Sequence, residues 1–445
     1  MPTGRLRARR RSGFRPVYVM ASGGGTGDNN PIIFDLPLND LGAGAVNMTP
    51  TTYRGSPTPT FTRATTAYTT LSTGLIAEVA SGTARSTYSA DGATYLGYLA
   101  EGARTNTCLQ SQAFGTTWSA VTGSVSSNTT TAPDGTSTAD SLIEPASGTS
   151  RGEFTQGSLS FTDTVVYSFS VFVKELQASP KRYFILGGSS NEFTGTPLVW
   201  VDALAGTITN TSGAALLSSS ISDAGNGWFR VSFSATASAT TALGAINLYI
   251  TNSPTSANNY TCTGAGMYAW GAQIEVGSFA STYIPTTTVA VARNADIDQY
   301  VSASNLSASA MTMALTWTPE AAASMGTVFM FGTYVDASNY TAILHDGTNV
   351  IARKRIAGVN TDATKALTYV AGTSYRIVAR FDGTNGIDVW VAGVKGTGSA
   401  TLTASQIGTN FQIGADGNSL QQAFGAIKNF AVYGSGLSDT QAASL

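Results

Sequence analysis

The sequence predicts an all-β protein: an extended N-terminal arm, a small β neck, then two β-sandwich (jelly-roll) domains. Three observations lead there. Apolar residues recur with period two over many short stretches, the pattern of strands with one face on a core. Gly, Ser and Asn clusters separate those stretches, and short strands joined by such turns build sandwiches or jelly rolls. Only 11% of the 445 residues are charged, against 42% hydrophobic, with 48 glycines; disorder favours high net charge, so the chain reads as folded. The length suits two to four domains at about 100–200 residues each.

Residues 1–30 form a basic arm. Arg5, Arg7, Arg9, Arg10, Arg11 and Arg15 precede the first acid, Asp28, so the net charge of −2 conceals a more acidic body. Pro16–Met20 is a short apolar patch, and Ser22–Asp28 a Gly-rich hinge. The arm is expected to anchor the chain in another protein assembly. Clustered arginines also suit phosphate contacts, so packaged DNA is the second partner considered; the aromatic interleaving of a single-strand groove is missing. No run of ~18 apolar residues indicates a membrane span, and no apolar core follows the basic start as in a secretory leader.

Residues 31–98 read as a neck of short strands. Ile32, Phe34 and Leu36 alternate until Pro37 interrupts. Pro57 and Pro59 exclude a long helix, and Asp91-Gly92 is a tight-turn signal before Tyr95–Leu99. Residues 99–285 form the central sandwich. Tyr167, Phe169, Val171 and Val173 share a face, with Phe172 and Lys174 opposite. Phe184 with Leu186, Leu198 with Trp200, and Ile246, Leu248 and Ile250 mark further strands. Gly225-Asn226-Gly227 launches Trp228–Ser234, where Phe229, Val231 and Phe233 oppose Trp228, Arg230 and Ser232. In the closing stretch Met267–Thr286, Tyr268, Trp270, Ala272, Ile274 and Val276 alternate with Ala269, Gly271, Gln273 and Glu275. Residues 286–302 are a linker with a charged end, Arg293 to Asp298. Residues 303–445 form the last sandwich, with stripes at Met311, Met313, Leu315 and Trp317, at Tyr375, Ile377, Ala379 and Phe381, and at Ile387, Val389 and Val391. Ser438 and Gln441 stand at capping-box spacing for a short terminal helix. Cys108 and Cys262 read as two buried thiols, since spacing alone establishes no bridge.

The run GAQIEVGSFASTYIPT, within Met267–Thr286, resembles the closing segment of a module of bacteriophage virion proteins, the phage head-spike or fibre domain. LAEGARTN (Leu99–Asn106), CLQSQAF, Trp118 and APDGTSTAD from Ala132 resemble its opening segment. Phe61–Thr65 and Gly74–Ile76 are similar to stretches upstream of that module. The GNGWFRVSFS run resembles glycan-binding jelly rolls attached to polysaccharide-degrading enzymes. The chain end, AIKNFAVYGSGLSDTQAASL, resembles laminin-G-like, concanavalin-type sandwiches. These resemblances imply a virion head or tail fibre or spike, a homotrimer, anchored through its arm to capsid, portal or tail proteins and exposed on the particle surface. Host-surface polysaccharide is the implied ligand, and the outward aromatics Trp118, Phe172, Trp228 and Trp390 are the candidate glycan platforms.

No catalytic motif is expected. His345, the single histidine, precedes an Asp-Gly turn without a nucleophile elbow. Zinc spacings and phosphate loops are missing. A glycan hydrolase or lyase is the alternative, with Glu153, Asp163, Glu175, Glu192 and Glu275 available for a carboxylate pair; Glu101 reads as a turn residue. The long β-helix repeat of capsule-cutting spikes is missing. A secreted adhesin of the same modules is a third reading. No cofactor is implied beyond structural calcium, with Asp134 and Asp140, or Asp336 and Asn339, as loop ligands.

Overall fold

The computed structural model describes residues 32–36, 59–302, 306–321, 326–399 and 404–445. The six arginines of the arm lie outside them. Among the described residues all regular structure is β except the terminal helix Asp439–Ser444.

The first sandwich joins two six-stranded antiparallel sheets. One runs Leu216–Asp223, Phe229–Thr236, Val166–Glu175, Gly266–Val276, Ala139–Ile143, Ser124–Thr130. The other runs Thr207–Ser212, Leu198–Asp202, Tyr183–Gly187, Thr241–Thr251, Gly152–Phe161, Ser119–Thr122. The alternation places Phe169, Val171, Val231 and Phe233 inward from one sheet, and Phe154, Phe184, Leu186, Ile246 and Leu248 inward from the other. Phe169 stacks on Phe233 at 4.6 Å between ring centres. Cys108 and Cys262 are both buried free thiols, and burial pushes the Cys108 thiol up.

Strict alternation fails at a bulge in the closing strand of this sandwich. In Gly266–Val276 the core takes Ala269, Ala272 and Ile274, while Trp270 packs on the outer face with Tyr268. The register against Val166–Glu175 slips between Ser170 and Phe172. Gly271 sits there with φ +65°, so two residues of one strand oppose one of its partner, a β-bulge that switches the faces on either side of it. The period-two reading that grouped Tyr268 and Trp270 with Ala272 and Ile274 is therefore corrected at this glycine. A Cβ on it would lie 2.9 Å from Phe172 Cδ2.

The second sandwich pairs a sheet ordered Val394–Lys395, Gly386–Val391, Tyr375–Asp382, Ala310–Pro319, Gly425–Tyr433, Tyr95–Ala100, Ser86–Tyr88 with one ordered Thr60–Thr62, Ile297–Val301, Asn410–Ile413, Val328–Asp336, Asn339–His345, Asn349–Ile356, Val359–Ala366. Met311, Met313, Trp317, Ile377 and Phe381 meet Met330, Phe331, Ile343 and Phe411 in its core. Several strands of the expected neck and linker are built into this body, whereas Ala67–Thr70 pairs only with Ile76–Val79 and Val291–Arg293 with Arg104–Asn106. Tyr98–Ala100 pairs with Gly425–Ile427, Thr60–Thr62 pairs with Ile297–Gln299, and Ile32–Leu36 adds to the edge of Gly425–Tyr433. The expected capping box is present: Ser438 Oγ accepts from Gln441 N–H, and the Gln441 side chain accepts from Ser438 N–H.

Candidate functional site

The chain crosses between the sandwiches at a charged seam sealed from solvent. Asp296 receives Arg63 at 2.8 Å on one oxygen and Arg85 on the other. Arg85 also reaches Glu101 at 2.7 Å, as does Arg293. Thr282 completes the Glu101 shell, donating its N–H at 2.8 Å and its hydroxyl at 2.5 Å. All the side chains in these pairs are at most 1% exposed. Burial works to raise the Glu101 carboxyl, but Arg293 and Arg85 overcome it and hold the group ionised. Glu320 lies against Glu101; burial and that negative neighbour raise it well above the usual carboxylate range. Beside them Arg104 lies against the rings of Phe279 and Phe424, 5.0 Å from each centre. Asn106 ties opening to closing segment, donating to the carbonyls of Ala272 and Ile284 and accepting from Ile274 N–H. The turn role expected of Glu101 is thus replaced by a buried one, because the arginines that neutralise it come from distant sequence.

Above this seam, between the hairpin Ala67–Val79 and the outer face of the first sandwich, lies a recess of about 140 Å³. Tyr68, Phe172, Tyr283 and Arg230 line it, together with the half-buried Thr70 and the exposed Ser222 and Asp223. The turns around Gly74, Ala90 and Gly225 close one end. A Cβ on Gly225, which has φ +77°, would meet Gly74 O at 2.9 Å and Ala90 O at 3.0 Å, so only glycine permits that approach. Arg230 donates to Ser281 O at 2.6 Å and to Ser170 Oγ at 2.9 Å, and its guanidinium lies 5.2 Å from the Phe172 ring centre. Its Nε is buried without an acceptor among the described residues. Burial lowers its pKa.

The four aromatic platforms expected to face solvent are buried: Trp118 7% exposed, Phe172 4%, Trp228 1% and Trp390 1%. The alternation placed Phe172, Trp228 and Trp390 on outer sheet faces correctly, but distant segments of the same chain cover those faces. Phe172 and Trp228 pack with Trp270, Tyr283, Tyr68 and Ile76, and Trp228 Nε1 donates to Thr131 O at 3.0 Å. Trp390 lies under Ala442 of the terminal helix, with Arg380 and Lys395 each 5.2 Å from its ring centre. It borders an open depression of about 540 Å³ shared with Gly393, Lys395 and Asp439, but those cations occupy its ring. Trp118 turns into the core against Phe114. The structure brings only Phe172 to the recess. Sequence reading missed Tyr68, Tyr283 and Arg230 there; the outward position of Arg230, opposite Phe229 and Val231, was the one available signal.

The carboxylates serve locally. Glu153 pairs with Arg151, Glu192 accepts from Ser189 and Ala245 N–H groups, and Glu275 accepts from Ser281. Burial, with the neighbouring Asp202, raises Glu175 to about 7, yet both its oxygens are buried. Asp134 and Asp336 accept from turn N–H groups, whereas Asp140 accepts from Phe114 and Asn128 N–H groups. Among the described residues no group of three or more His, Cys, Asp or Glu could hold a metal ion. His345 closes the strand Asn339–His345. Its Nδ1 accepts from Gly347 N–H and its Nε2 bonds Leu367 O at 2.8 Å. Among the described residues no helix is long and apolar enough to cross a membrane.

No protein-family model matches the chain, and no curated protein sequence matches it. Among solved structures, domain 4 of AbnA, an extracellular arabinanase of Geobacillus stearothermophilus in complex with arabinotriose, is similar at 15% identity. It covers 37% of this chain and 80% of that one, with TM-score 0.29. The heptameric SAP-like pentraxin of Limulus polyphemus is similar at 13% identity, covering 31% and 70%, TM-score 0.25. The receptor-binding domain of a botulinum neurotoxin C/D mosaic serotype is similar at 10% identity, covering 33% and 39%, TM-score 0.28. Overlaps of this size define no family for the chain.

Proposed function

We propose that the protein is a structural component of a phage virion, a trimeric head or tail fibre or spike that acts by contact rather than by catalysis. Its arginine-rich arm inserts into capsid, portal or tail proteins, and its sandwiches stand on the particle surface against host glycans. The observation that supports this reading is the seam. The family-like opening segment supplies Glu101 and Asn106, which bond Thr282 and Ile274 of the closing segment and so lock the two together. The likeness thus falls on residues that shape a module.

Removing residues 1–30 from the phage-encoded chain is the test of anchoring. Particles are expected to lose the protein while the purified truncated chain keeps its melting temperature; normal incorporation overturns the anchor. Incubating the whole chain with host capsule or lipopolysaccharide tests the contact role. Binding without release of reducing ends is expected. Sugar release abolished by a single Glu or Asp substitution would instead make it a hydrolase or lyase.

A further inference from the structure

We propose that the recess between the Ala67–Val79 hairpin and the first sandwich binds an acidic sugar, with the carboxylate of a uronic-acid unit taken by Arg230. This rests on the glycan-contact reading and narrows it to one site and one ligand class.

The argument starts from charge. Three arginines of the seam meet a carboxylate, Arg63 and Arg85 at Asp296 and Arg293 at Glu101, while Arg104 rests on the rings of Phe279 and Phe424. Arg230 makes no ion pair among the described residues, and its two hydrogen bonds go to neutral oxygens. A guanidinium has five N–H donors, so three remain without an acceptor there. Arg230 is half-buried, and Glu275, Glu101 and Glu320 act on it only as neighbouring charges, without an ion pair; the free side of the fork matches a carboxylate on two N–H groups at once.

The walls select a sugar from among anions. Tyr68 and Tyr283 meet edge to face at 5.4 Å and give an apolar side. Thr70, Ser222 and Asp223 give hydroxyl and carboxylate partners around it. Asp223 is exposed and already accepts from Gly225 N–H at 2.8 Å, so it suits a sugar hydroxyl and leaves the anion to Arg230. At about 140 Å³ the space lies below the roughly 300–1,000 Å³ of drug-sized sites and admits a single ring rather than a chain.

The test titrates the whole chain with glucuronate, glucose and inorganic phosphate, followed by saturation-transfer NMR and calorimetry. Glucuronate is expected to bind, glucose at least about tenfold more weakly, and phosphate not to displace it at equal concentration. R230Q should weaken glucuronate at least about tenfold. Because R230Q also alters the bonds to Ser281 O and Ser170 Oγ, S222E is the second variant. Ser222 is the cross-strand partner of Arg230 and is exposed, so a carboxylate placed there competes for the guanidinium from within. It should abolish binding with an unchanged melting temperature. Equal affinity for glucose, displacement by phosphate, or full binding by S222E overturns the acidic-sugar site. Host-polysaccharide binding that survives both variants likewise overturns it while sparing the glycan reading; absence of binding to any glycan overturns both.

Discussion

Glu101 accepts from two arginines and from both donors of Thr282, and none of these partners is its neighbour in sequence. Breaking a buried pair leaves an uncompensated charge, costing about 3–5 kcal/mol. Glu101→Gln is therefore expected to lose that much in urea unfolding, while Glu153→Gln, whose Arg151 pair is partly exposed, should lose less than about 1 kcal/mol. Asp298 behaves with the opposite sign. Burial raises its carboxyl to about 7, above its ordinary value near 3.8. Between those values the unfolded chain binds fewer protons than the folded one, so this group's contribution falls as pH rises from about 4 to 7 and is level above. Asp298→Asn should flatten that part of the profile and gain relative to the parent at pH 8. Unfolding free energies at pH 5 and 8 check it; identical slopes would refute the assignment.

At the scale of elements, one glycine decides which faces a whole strand presents. Gly271 takes left-handed φ at the bulge, and a side chain there meets Phe172 and Tyr283. Gly271→Val combines backbone strain with that clash and is expected to cost roughly 2–4 kcal/mol, read from the shift in thermal unfolding. The terminal helix is a second case. Six residues would not hold a helix in isolation; the capping box and the burial of Ala442 over Trp390 hold this one. Ala442→Glu should detach it, and the tryptophan emission should shift red as Trp390 becomes wet. An unshifted spectrum would mean that something other than the helix covers the ring.

For the molecule as a whole, the sheets do not follow the chain's composition breaks. Arg63 and Arg85 precede the central stretch and Arg293 and Asp296 follow it, yet they close the charge shell around its first residues. Residues 99–285 expressed alone would leave Glu101 without either arginine. That fragment is expected to be insoluble or molten, with weak near-ultraviolet dichroism, whereas residues 59–445 should unfold in one cooperative transition. A well-folded 99–285 fragment would show that the seam is dispensable.

What the sequence alone determined is local. Alternation located the strands, glycine and asparagine marked their turns, and Ser438 with Gln441 announced the last helix, because each depends on neighbours within a few residues. The inward stripes at Phe169 and at Met311 were legible for the same reason. What covers the opposite faces was decided only by the tertiary structure. Phe172, Trp228 and Trp390 point outward from their sheets and are nonetheless buried, under segments distant in sequence: Tyr68, Ile76, Trp270 and Tyr283 over the first two and Ala442 over the third. The recess at Arg230 has the same origin: its walls come from stretches around residues 68, 172, 223 and 283. A period of two states which side of a strand a residue takes, and long-range packing decides whether that side meets water.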